Sequence, residues 1–459
     1  MNYKKRNAFS RCSTRGDYLI MEPLQIGLLL VCSTLLVFSI GIPVAFGLGV
    51  IALIFLLGFE GLGMTRVIAD TFFSGLEEFT IVSIPMFIVM GIAVASSPAG
   101  KDLYSALDRW LNRVPGGLVV SNLGACALFA ALSGSSPATC AAIGKMGIPE
   151  MRERGYPKEI SAGTIAAGGT LGILIPPSIT MIVYGISTET SIGQLFMAGI
   201  FPGLMLTGLF MIWAIFKTWM TNKDKNFTTV AFKSFSWKER FEILPRIAPF
   251  LLVVVGVLYV LYGGIATPSE ASGVGAFFCL VLVAVIYKIY NPVKIWKIIK
   301  ESMKESTMIL MIIAASYLFS FTLSNLYITQ SVAEAMTSLE VNRWVLMLMI
   351  NIFLLVAGFF LPPVAIIVMT TPILLPIIEQ AGFDPIWFAV ILTINMEIGL
   401  ITPPVGLNLY VIKGISPDIS LPEILRGSFP FMLCMVLGII ILCIFPEIAT
   451  WLPKYLFSK

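Results

Sequence analysis

The sequence contains no histidine. That absence removes the Ser-His-Asp triad and its Cys-His variants, haem ligation by histidine, HExxH zinc sites and histidine proton relays. Charge is scarce too. Asp, Glu, Lys and Arg make up 12% of 459 residues, against about 25% in soluble domains. The net charge of +4 is too small an excess to point to nucleic acid. Of the seven cysteines, Cys12 lies in a polar stretch and Cys32, Cys126, Cys140, Cys279, Cys434 and Cys443 lie in apolar ones. None has metal-ligand spacing, so neither a zinc site nor a disulfide framework is expected.

What fills the chain is apolar: 57% of it is hydrophobic. Apolar segments run at 24–40, 43–58, 80–98, 116–147, 161–185, 191–216, 247–262, 268–287, 307–325, 344–376, 387–411 and 427–450. The reading is an all-α polytopic membrane protein embedded in a lipid bilayer. Residues 1–20 are polar and basic and form an expected N-terminal tail, not a signal peptide, because the apolar run that follows is long and lacks a cleavage pattern.

Four small, polar or proline-containing breaks interrupt the apolar segments: Ala130–Gly144 (AALSGSSPATCAAIG), Gly168–Ser178 (GGTLGILIPPS), Phe360–Pro363 (FLPP) and Gly399–Asn408 (GLITPPVGLN). Lipid cannot hydrogen-bond free backbone, so such breaks persist only where they are buried in protein or line a cavity. They are the expected site.

Charge sets the sidedness. Connections 217–246, 288–304, 101–113 and 145–158 are basic and therefore expected in the cytoplasm, whereas 60–78 and 377–386 lean acidic. Segment 116–147 has basic connections at both ends, so it must enter the membrane and return, with its break at the tip. Segment 344–376, broken at Pro362-Pro363, reads as a second hairpin from the opposite face.

The halves also match in sequence. A shift of 227 places Gly155, Pro149, Gly172 and Pro176-Pro177 on Gly382, Pro376, Gly399 and Pro403-Pro404. A shift of 226 places Ala45, Gly47 and Gly49 on Ala271, Gly273 and Gly275. The expected organisation is a tail at 1–20, a first inverted repeat at 21–216, a connecting arm at 217–246, a second inverted repeat at 247–452 and a tail at 453–459. Each repeat carries a re-entrant hairpin and a broken helix. Inversion places Met21 outside, against the basic tail; either translation starts at Met21 or 24–58 is one kinked span. Paired interrupted segments in matching positions point to the binding site of a secondary transporter.

A helix broken inside the membrane leaves N–H groups that attract anions and C=O groups that coordinate cations. Ser133, Gly134, Ser135, Ser136 and Thr139, with Gly168, Gly169, Thr170 and Gly172, make an expected Na⁺ cage of neutral oxygens, which suits a hard cation. The repeat implies a second cage at Phe360, Pro363, Gly399, Thr402 and Pro403. Glu397 is the one carboxylate deep in an apolar run, and such residues are functional by default. Ser135, Ser136, Thr139, Glu397 and Asn408 are the expected substrate contacts. Lys145, at a hairpin's end, is the one cation near the break segments. An anionic substrate would therefore rest on helix N-termini and hydroxyls, helped by a co-transported cation. A serine enzyme using Ser135 or Ser136 has no base to activate it.

The motifs SGSSPATCAAIG, AAGGTLGILIPPSI, YGGIATPSEASGVGA, TTPILLPI and NMEIGLITPPVGLNLYV resemble the large membrane subunit of tripartite ATP-independent periplasmic (TRAP) transporters. The resemblance covers about 21–452. It implies an elevator-type ion-transporter fold in the bacterial inner membrane and Na⁺-driven uptake of organic acids such as C4-dicarboxylates. It also implies a small four-helix membrane subunit and a periplasmic substrate-binding protein as partners. Its Na⁺ sites carry over to Ser133, Gly134, Ser135, Gly169, Gly172, Pro363, Gly399 and Thr402. A stand-alone organic-anion symporter or exporter of the same architecture is the alternative.

Overall fold

The computed structural model describes residues 21–111, 114, 116–223, 235–338 and 342–457, and no strand occurs among them. In the first half the helices are α1 Pro23–Ser39, α2 Val44–Glu60, α3 Thr65–Glu77, α4 Ser83–Ala95, α5 Ala99–Leu111, α6 Gly117–Ser133, α7 Ser136–Glu153, α8 Lys158–Thr170, α9 Ile179–Thr188 and α10 Ile192–Lys223. The second half holds α11 Trp237–Glu242, α12 Leu244–Tyr262, α13 Pro268–Tyr287, α14 Pro292–Asn325, α15 Ile328–Ser338, α16 Arg343–Phe360, α17 Pro363–Gln380, α18 Pro385–Leu400, α19 Leu407–Ile415, α20 Leu421–Ile444 and α21 Glu447–Phe457. Among the described residues seven helices are long and apolar enough to cross a membrane, eight if the pair Leu62–Glu77 and Phe79–Ala95, bent by 59°, forms one span. The chain is a multi-pass membrane protein.

Local chemistry sets the ends of these helices. Proline stands in the first turn of α13, α14, α17, α18 and α20, where its missing N–H costs nothing. Thr267 with Glu270 and Ser420 with Glu423 form reciprocal caps at the starts of α13 and α20. The 34 residues of α14 span about 50 Å at 1.5 Å per residue, more than the hydrocarbon thickness of about 30 Å. One end of α14 must therefore leave the core, and its lysines, Lys294, Lys297, Lys300 and Lys304, lie at the first end.

Four expectations need correction. The stretch 60–78 is not a bare acidic connection but contains α3, an amphipathic helix with one buried residue, Gly75. The basic stretch 101–113 lies largely in α5, whose Asp102, Leu103, Tyr104 and Ala106 are buried. In the arm, 217–223 continues α10, and α11 and the start of α12 occupy its far end. The expected tail at 453–459 begins inside α21. The longer polar faces of these helices obscured their helical period. Residues 1–20 and 224–234, with Lys225 and Lys233, lie outside the described residues.

Packing between the halves is reciprocal. Helix α2 packs on α14 and α13 on α4; α9 packs on α17 and α19 on α7; α8 packs on α20 and α10 on α18. The α8–α20 crossing is the tightest. Gly163 faces the backbone of Gly427, and a Cβ on Gly427 would overlap the carbonyl oxygen of Glu159. On the polar side of this crossing Arg152 pairs with Asp418 at 2.6 Å, and Lys158 donates to the Asp418 carbonyl at 3.2 Å.

Candidate functional site

All four breaks fall where the sequence places them. Helix α6 ends at Gly134, whose φ of 60° is left-handed, and Ser135 is extended before α7 begins. Helices α8 and α9 are separated by 171–178, which opens with a 3-10 turn at Leu171–Ile173, and α18 and α19 by 401–406. Pro176-Pro177 and Pro403-Pro404 are both cis. Each hairpin tip lies against a broken helix. A Cβ on Gly172 would come 2.6 Å from the Ser135 carbonyl oxygen, so only glycine allows this approach. In the second half the Val405 amide donates to the Phe359 carbonyl at 3.1 Å.

The hydroxyls at the first tip are largely committed to the tip itself. The Ser133 and Thr139 hydroxyls lie 2.7 Å apart, and Thr139 donates to the Ser135 carbonyl through both its amide (3.0 Å) and its hydroxyl (2.9 Å). The Thr170 hydroxyl donates back to Ala167 at 2.6 Å, and that of Thr402 to Ile398 at 2.6 Å. These groups brace the breaks. Asn408 donates to the Ser136 hydroxyl (2.9 Å) and to the Ala166 carbonyl (3.1 Å), and all three residues are fully buried. Asn408 and Ser136 are thus a strut between the halves, an unpartnered amide or hydroxyl being costly in so dry a place.

Glu397 makes no hydrogen bond to either tip. Its side chain is fully buried on α18, and neither carboxylate oxygen has a hydrogen-bond partner. Asn395, one face away, donates to Asn351 of α16 at 2.6 Å.

One cavity, of about 890 Å³, collects the breaks. Its walls take Gly134, Ser135, Ser136 and Pro137 from the first tip and Pro362, Pro363 and Val364 from the second. The broken helices add Ile173, Ile179, Thr180, Leu400, Val405 and Leu407. The opposite wall is Pro43–Phe46 at the start of α2 and residues 303–312 of α14, among them Lys304, Glu305 and Thr307. Of the expected site residues, Gly134, Ser135, Ser136 and Pro363 line the cavity. Gly172 touches it only through Ser135, and Ser133, Thr139, Gly169, Thr170, Glu397, Gly399, Thr402 and Asn408 stand behind it. The α14 wall is what sequence reasoning missed. The run Lys304-Glu305-Ser306-Thr307, polar and followed by an apolar stretch, was the available signal. Among the described residues no group of three or more His, Cys, Asp or Glu converges. A cation held at the breaks would therefore rest on neutral oxygens.

Residues 31–448 match the family model described as the tripartite ATP-independent periplasmic transporter, DctM component. The chain is 36% identical over 434 residues to the C4-dicarboxylate TRAP transporter large permease protein DctM of Rhodobacter capsulatus, covering 91% of this chain and 96% of that protein. It is 38% identical over 391 residues to the protein of the same name from Pseudomonas aeruginosa, covering 85% and 90%. In fold it is similar to the YdaH transporter of Alcanivorax borkumensis, with a TM-score of 0.65 at 16% identity over 93% of this chain and 98% of that one. Broken helices, paired tips and sequence agree: the chain belongs to the DctM family, the large permease component of tripartite ATP-independent periplasmic transporters.

Proposed function

We propose that this chain is the permease of a Na⁺-coupled importer of organic acids in the bacterial inner membrane, working by elevator-type alternating access. The cavity carries this reading, because both hairpin tips and both broken helices meet there against helices of a different group. The hairpins with α8, α9, α18 and α19 are the moving part, and α2, α4, α13 and α14 are the scaffold. Reciprocal packing of the halves supports two inverted repeats, since a two-fold relation exchanges α2 with α13 and α4 with α14. The lysine-rich end of α14 belongs in the cytoplasm, so the cavity opens inward and the conformation is the substrate-releasing one.

The cargo is a carboxylate, a C4-dicarboxylate or a near relative, delivered by a periplasmic binding protein; the relatives' names support that class. A small four-helix membrane subunit completes the assembly. Anionic cargo and Na⁺ travel together because the tips offer backbone dipoles and hydroxyls in place of fixed charge.

Uptake into proteoliposomes is expected to require an inward Na⁺ gradient and added binding protein. Equal uptake from choline-balanced buffer, or from H⁺ alone, refutes the coupling. A second measurement concerns Glu397. Glu397→Gln is expected to cut uptake severely, because a carboxylate held deep in an apolar segment is costly and is kept for function. Glu379→Gln, in the last turn of α17, is expected to leave uptake near that of the parent. Equal rates for the two variants would assign Glu397 to the framework.

A further inference from the structure

The residues of α14 that wall the cavity hold a feature that the breaks do not explain. Lys304 is exposed and makes no hydrogen bond or ion pair among the described residues. Met308, one turn on, is 56% exposed, and Thr307 lies on the same face. Lys304 is the one cationic residue lining the cavity. Glu305 also lines it, but points about 100° around the helix and is half-buried.

A second cavity, of about 650 Å³, lies among the opposite ends of the helices and is lined in part by Glu78, Thr80, Glu189 and Tyr317. The shift of 227 that superposes the Pro-Pro breaks also superposes Glu78 on Glu305 and Thr80 on Thr307. The same repeat position thus presents a Glu-x-Thr at each mouth. The residue before it differs in sign: Glu77 in the first repeat, Lys304 in the second. Glu189 adds to the negative side of the outer mouth.

We propose that Lys304 and Thr307 form an anion-receiving subsite at the inner mouth, which takes the carboxylate of the cargo as it leaves the hairpin tips. The acidic outer mouth has the reverse preference and draws the coupling cation. An unpaired ammonium in a low-dielectric cleft focuses its field on the open volume, and the Thr307 hydroxyl donates a neutral hydrogen bond beside it. The charge reversal gives each mouth one ion, so the anion meets attraction only on the releasing side. This subsite rests on the cavity being the cargo's path.

The test reads mouth charge without turnover. In the full chain with Cys12→Ser, Cys32→Ser, Cys434→Ser and Cys443→Ser, Met308→Cys serves as the inner reporter and Thr80→Cys as the outer one. Each is labelled with an anionic and a cationic methanethiosulfonate of similar size. At Met308→Cys, Lys304→Gln is expected to lower the anionic-to-cationic rate ratio about tenfold, the low end of what a focusing cleft gives. Lys304→Glu is expected to lower it further, and Lys304→Arg to keep it. Thr80→Cys is expected to favour the cationic reagent. A ratio unmoved by both Lys304→Gln and Lys304→Glu overturns the subsite. Na⁺-driven uptake would still stand in that case, and its failure would leave the labelling ratio in place.

Discussion

Gly427→Ala is expected to abolish the folded protein or cut its yield severely. A Cβ at that position would overlap the Glu159 carbonyl oxygen and press on the Cα of Gly163 3.1 Å away. The obstacle is backbone on both sides, so no side-chain rotation relieves it. Helices α8 and α20 must separate, and overpacking of this kind costs about 1–3 kcal/mol and sometimes more. Their polar clasp, Arg152 and Lys158 on Asp418, would be pulled out of register as well. Gly208→Ala is the matched control, since a Cβ there meets nothing within 4 Å. Monodispersity and thermal unfolding of the purified proteins decide the matter. If Gly427→Ala behaves as Gly208→Ala does, the close crossing is not a feature of the protein.

Gly172→Ala is expected to leave folding largely intact and to lower uptake about 100-fold, the scale set by displacing a working group by ~1 Å. The added methyl would stand 2.6 Å from the Ser135 carbonyl oxygen and 2.9 Å from the Ser136 Cα. It pushes the first tip off its broken helix. Ser135 would then leave the cavity wall, and the Asn408–Ser136 strut would be strained. Binding-protein-dependent uptake and its Na⁺ dependence should fall together. Uptake at the parent's rate would mean that contact between tip and broken helix is not needed for transport.

The breaks were legible because proline, glycine and serine have few uses inside a bilayer. Ala130–Gly144 and Gly399–Asn408 announced irregular backbone at membrane depth, and the protein has irregular backbone at both. The role of each hydroxyl was not legible. Ser133, Thr139, Thr170 and Thr402 sit at the breaks, but the first two bond to each other across the tip and the last two turn back on their own helices, which depends on rotamers that spacing does not reveal. Asn408 was singled out as a cargo contact, and only three-dimensional packing shows it spanning to Ser136 and Ala166. Lys304 was legible only in part. Counted among the basic residues of 288–304, it looked like a loop charge, whereas the chain is helical from Pro292 onward and Lys304 lines the cavity. The short helices α3 and α5 escaped because charged residues lowered their hydrophobic signal, and α15 because Thr, Gln and Ser did.

The crossing of α8 and α20 also bears on biogenesis. The groove that Gly163 opens on α8 is filled by a helix near the end of the chain. During translation the early spans therefore leave the ribosome with their small-residue seam and buried amide partners uncovered. Release of α8 before α20 is made would leave that seam facing lipid, so closure of the crossing waits for the second repeat.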